Sequence, residues 1–104
     1  MRQTRRVRLK PYKYNFELQT LFDIIRLLNK VKVSYQAEMA RYLGIERQTM
    51  NEYFYNIILP LARKGVFIVR PNQGWRWGEP RYFILLAPDW KKALCEWIAE
   101  EVEG

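Results

Sequence analysis

Gln36-Ala37-Glu38-Met39-Ala40-Arg41-Tyr42-Leu43-Gly44-Ile45-Glu46-Arg47-Gln48-Thr49-Met50-Asn51-Glu52-Tyr53 is the stretch whose reading decides the fold. Two short helices that cross steeply must approach closely at a tight turn, and this stretch has the residues for it. Ala40 is small enough to allow the approach. Gly44, four residues on, stands where the first helix needs a left-handed residue to stop. Leu43 and Ile45 flank the turn with apolar side chains, and Met50 and Tyr53 are spaced to face inward from the second helix. Ser34, just upstream, is expected to cap the first of these helices, over Tyr35 to Leu43.

Working outward, the second helix opens at Glu46 or Arg47 and runs to Lys64. Its apolar face is Met50, Tyr53, Phe54, Ile57, Ile58 and Leu61, and Gly65 ends it. Pro60 lacks a backbone donor, which predicts a kink there or the end of the regular part. Val66–Val69 and Tyr82–Leu86 are β-rich, and Arg70 to Arg81 between them is punctuated by Gly and Pro, as in a hairpin with a long tip. Ala87-Pro88-Asp89 suits the first turn of a last helix reaching about Glu103. Upstream, Asn15 is expected to cap a first helix ending near Asn29, in which Phe16, Leu18, Leu21, Phe22, Ile24, Ile25, Leu27 and Leu28 recur at helical spacing. Val31-Lys32-Val33 follows as a short β-like piece. The expected class is mainly α with a small β-hairpin, in the order helix, strand, helix, helix, strand, loop, strand, helix. The chain divides into a basic arm (1–14), a central domain (15–87) and a C-terminal helix (88–104).

The 104 residues are enough for one domain, and an apolar fraction of 49% is enough to give it a packed core. Charge is lopsided: 18 Lys and Arg against 11 Asp and Glu, a net +7. Residues 1–14 hold six of the cations and no acid, whereas 89–104 are acidic. Such a surplus favours polyanionic partners. Several chemistries lack their equipment. There is no His, a single Cys and a single Ser, which leaves no imidazole base, no disulfide and no activated serine. The five glycines form no phosphate-binding fingerprint. The longest uncharged run, Tyr53 to Ala62, falls well short of the ~18 residues of a membrane span. The expectation is a cytoplasmic, nucleoid-associated protein that is not an enzyme and uses no metal or cofactor.

The stretch around Gly44 resembles the helix-turn-helix of DNA-binding proteins, and with the hairpin after it residues 15–87 resemble a winged-helix domain. Leu61-Ala62-Arg63-Lys64-Gly65-Val66 is also similar to the end of the recognition helix in winged-helix regulators. The resemblance is to a superfamily and implies a winged helix-turn-helix fold. It places the recognition helix at 47–59 and a wing at 71–80. In it, Arg47, Gln48, Asn51, Glu52 and Tyr55 face the DNA groove, and they fall opposite Met50, Phe54 and Ile57 by helical geometry alone. Arg47 suits guanine, and Gln48 or Asn51 suits adenine; a solvated polar face is the plainer alternative. Ser34, Tyr35 and Gln36, at the start of the preceding helix, are candidates for holding a phosphate on backbone donors.

Three further features bear on partners. Trp75, Arg76 and Trp77 sit at the hairpin tip, either to meet DNA or to fold back on the hairpin. Arg2, Arg5, Arg6, Arg8 and Lys10 of the arm suit phosphates or a minor groove; Arg6 to Lys10 also alternates like an edge strand. Trp90, Leu94, Trp97 and Ile98 form a stripe that suits either a homodimer seam or packing onto the first helix. The expected function is sequence-specific binding of double-stranded DNA by a small dimeric transcriptional regulator. The alternatives are a non-specific architectural or replication/partition DNA-binding protein and a winged-helix protein-interaction module.

Overall fold

The computed structural model describes residues 18–103. Helix α1, Leu18–Val31, turns Leu21, Ile24, Ile25, Leu27 and Leu28 inward, as the periodicity predicts, but leaves Phe22, expected on the same stripe, exposed. Its start near Asn15 and the arm lie outside the described residues. The chain then reverses at Lys32, a non-glycine residue with φ 73°, whose N–H donates to the Leu28 carbonyl at 3.0 Å.

Strand β1, Val33–Ser34, is only two residues long. Helix α2, Gln36–Leu43, follows, with Tyr35 rather than Ser34 in the N-cap position and no side-chain cap bond. The expected Ser34 cap is therefore corrected. Ser34 pairs with Ile84 across the sheet, which turns its side chain into the interior, where it is buried and donates to Glu38 Oε1 at 2.6 Å. At the other end of α2 the reading holds. Gly44 is left-handed (φ 69°, ψ 38°). Its N–H donates to the Arg41 carbonyl, and the Ile45 N–H reaches back to Ala40. That pair of bonds satisfies carbonyls that a helix end leaves open, and it seats Ile45 against the core.

The long helix comes in three parts: α3, Arg47–Tyr53; a π-helical turn, Phe54–Ile58; and α4, Leu59–Arg63. Together they make one helix over 47–63, so the described residues hold four helices. The irregularity expected at Pro60 takes the form of a widened turn. The proline ring would collide with the carbonyl four residues back and supplies no donor to it. The π turn relieves this, with the Leu59 N–H donating to Phe54, five residues back. The helix thus keeps Ile57 and Ile58 buried through the π turn and continues beyond Pro60, where it buries Leu61. Gly65 (φ 91°) ends it as Gly44 ends α2, with Val66 returning its N–H to Leu61 at 2.9 Å.

β2, Phe67–Pro71, and β3, Tyr82–Leu86, form the expected hairpin, in register from Phe67 opposite Leu86 to Pro71 opposite Tyr82. β1 adds on the far side of β3, so the sheet is antiparallel and three-stranded in the order β1-β3-β2. Central Ile84 is fully buried. Pro71, without a donor, sits on an edge strand, where none is needed.

Helix α5, Trp90–Ile98, is continued by a second π turn, Ala99–Glu103. Leu94 and Trp97 are buried in the same core as α1 and the long helix, with Trp90 and Ile98 packed against it. Of the two uses expected for this stripe, a homodimer seam or packing within the chain, the structure shows the packing, complete for Leu94 and Trp97 and partial for Trp90 and Ile98. In a domain this small the stripe is needed to complete its own core. Lys64 Nζ lies 3.8 Å from Glu100 Oε1, and a Cβ at Gly65 would stand 3.5 Å from that of Ala93, so α5 docks close to the end of the long helix. The architecture is mainly helical with a small antiparallel sheet. No helix among the described residues is long and apolar enough to cross a membrane.

Candidate functional site

Three elements enclose one cleft of about 730 Å³. The first wall is the outward side of the long helix. Arg47, Asn51 and Tyr55 are spaced four apart, one turn each, so they form a single stripe, with buried Met50 as floor beside them. The second wall is the start of α2, with Tyr35, Gln36, Ala37 and Ala40. Small residues at 37 and 40 keep this wall open. The third is the hairpin tip, with Trp75 and Trp77, and the base of β3 with Arg81 and Tyr82.

The tip is held by its own bonds. Asn72 donates its backbone N–H to the Arg81 carbonyl at 2.9 Å and its Nδ2 to the Pro80 carbonyl at 2.8 Å. Trp75 Nε1 donates to the Glu79 carbonyl at 2.7 Å, and the Arg81 guanidinium lies over the Trp75 ring at 4.4 Å. The Glu79 carboxylate accepts the Arg76 N–H at 3.2 Å. Trp75 is thereby folded half into the tip. Trp77 is not: it is 90% exposed, edge-on to Trp75 with centroids 6.4 Å apart. Folding back on the hairpin thus describes Trp75 and not Trp77. Where the tip meets the body, Phe54 stacks on Tyr82 at 5.5 Å and meets Tyr55 edge-on at 5.4 Å. One buried ring of the π turn therefore sets two aromatic side chains of the cleft.

Of the residues singled out in the sequence, the cleft gathers Tyr35, Gln36, Arg47, Asn51, Tyr55, Trp75 and Trp77. Gln48, Glu52 and Arg76 are exposed but lie outside the lining. Ser34, expected to offer backbone donors at the start of α2, lies outside the lining, and its side chain is buried. Arg2, Arg5, Arg6, Arg8 and Lys10 lie outside the described residues. Sequence reasoning missed Arg81 and Tyr82. The hairpin register was the available signal, since Tyr82 opposite Pro71 puts both residues at the mouth of the tip. Two guanidiniums against one carboxylate, Glu79, leave the lining cationic. Such a surface presents aromatic faces for stacking, guanidiniums for phosphate or guanine, and the amides of Gln36 and Asn51 for polar edges. Comparison of the chain with protein-family profiles, with curated proteins and with solved structures finds no match.

Proposed function

We propose that the chain is a winged helix-turn-helix protein that binds double-stranded DNA in a sequence-specific way. Residues 47–59 enter the major groove and the wing, 71–80, lies on the flanking backbone or minor groove. The observation that carries this reading is convergence. Arg47, Asn51 and Tyr55 of the long helix, Gln36 of α2 and the hairpin-tip tryptophans come from three elements, and they line one concave, cationic face. The sheet order β1-β3-β2, with α2 and the long helix between β1 and β2, supports the winged-helix topology. In this reading Arg47 pairs with guanine O6 and N7, and Asn51 or Gln48 with adenine. The start of α2 meets phosphate, and the arm adds phosphate contacts that carry no sequence information. Regulation of transcription then follows from occupancy alone. Because Leu94 and Trp97 are buried in the chain's own core, a dimer on a two-fold site requires a surface other than that stripe of α5.

Selection from a random duplex library tests the proposal, with the full chain as bait. An enriched motif that Arg47→Ala blurs at one position is the expected result. No enrichment together with tight binding would assign the chain to architectural DNA binding instead. Duplex affinity indifferent to salt would overturn DNA binding altogether.

A further inference from the structure

We infer that the cleft between the long helix and the hairpin tip holds unpaired DNA nucleotides, so that the preferred ligand is a duplex carrying a single-stranded tail. This rests on the DNA-binding reading above and specifies the part of the ligand that the cleft receives. The argument begins with Trp77. Its indole is 90% exposed on a tip held by several internal hydrogen bonds, so a large apolar face is presented at a fixed place. Trp75, Tyr55 and Tyr82 bring three more rings to the same space, with Trp75 and Trp77 6.4 Å apart. A paired base hides its faces in the stack and offers only edges and backbone; an unpaired base offers its faces to aromatic side chains.

Size and charge agree with this occupant. A space of about 730 Å³ lies within the ~300–1,000 Å³ of sites that hold single small organic molecules, room for a nucleotide or two beside a duplex that lies on the exposed side of the long helix. Arg47 on one wall and Arg81 near the other give the phosphates of an extended strand two cationic partners. The single carboxylate of the lining, Glu79, already accepts the Arg76 N–H. Arg47 also belongs to the stripe that reads the duplex in the proposal above, so a strand leaving the duplex there passes directly into the cleft.

The test is fluorescence anisotropy with the full chain at one fixed salt concentration. Three labelled ligands share one duplex: blunt, with a short oligothymidine tail, and with an abasic tail of equal length. The oligothymidine tail is expected to tighten binding about tenfold, and the abasic tail to lose that gain, since stacking needs the base. Trp77→Ala, at an exposed position that leaves the fold intact, brings the tailed-to-blunt ratio close to one. Gln73→Ala, exposed on the same tip but outside the lining, keeps the ratio. Equal affinity for blunt and tailed duplex overturns the inference while DNA binding stands. Loss of the gain in neither the abasic tail nor Trp77→Ala also overturns it. No binding to any of the three overturns the DNA-binding reading and the inference with it.

Discussion

At Gly44 the backbone conformation, and not the space around it, fixes the residue. Nothing lies within 4 Å of where its Cβ would be, yet φ is 69°. Gly44→Ala is therefore expected to cost about 1 kcal/mol in urea unfolding, from backbone strain alone. Lys32 presents the converse. It holds φ 73° with a side chain in place, which costs roughly 1–2 kcal/mol, partly offset in a glycine variant by the looser unfolded chain. Lys32→Gly should thus raise stability by about 0.5–1 kcal/mol in the same measurement. On the functional side, Arg47→Ala is expected to cost about 1–3 kcal/mol against the preferred duplex and to relax one base position, read by competition with single-base variants. Single residues were legible where the cause is local. Gly44 follows from its neighbours. The orientation of Ser34 does not, because it depends on pairing with Ile84, fifty positions away in the chain.

Elements follow the same division. Apolar spacing and terminal glycines locate α2 and the long helix to within about a residue or two, the ordinary uncertainty of helix ends. Pro60 marks its irregularity in advance, but not its form, since a π turn adds one residue to a turn without disturbing the apolar pattern enough to read. β1, at two residues, is too short to show a period, so the β-like piece expected at Val31–Val33 overlaps it only at Val33, whereas the hairpin was plain. The hairpin tip carries its own prediction. Asn72 takes part in three of the bonds that hold it and lies outside the cleft lining. Asn72→Ala removes the side-chain bond to Pro80 and should cost about 1 kcal/mol locally. Amide exchange should quicken through 72–81, and duplex binding should weaken several-fold as the tip loosens. Unchanged exchange would show that the tip is held by its other bonds.

For the whole molecule, the described core is continuous from α1 to α5, so the C-terminal helix belongs to the fold. Trp97 is 1% exposed at its heart, and Trp97→Ala should cost about 3–5 kcal/mol, a large part of the 5–15 kcal/mol typical of a domain. Removing residues 88–104 is accordingly expected to unfold the remainder, as seen by circular dichroism. The net charge of +7 sets the long-range behaviour. With roughly six to eight phosphate contacts, log K against log salt should fall with a slope of about −5 to −7, and removing residues 1–14 should flatten it. The expectation of a polyanionic partner comes from charge alone; the cleft was not legible, because it exists only once the hairpin closes over the helix.

The four tryptophans, finally, occupy unequal surroundings: one sealed inside, one bare to solvent, two between. Intrinsic emission of the unlabelled chain therefore carries separable reporters. A soluble collisional quencher such as acrylamide reaches the indole at 77 freely and the one at 97 hardly at all. A ligand that shields the first while leaving the blue, protected component unshifted would be seated at the tip with the interior undisturbed, all read from one cuvette.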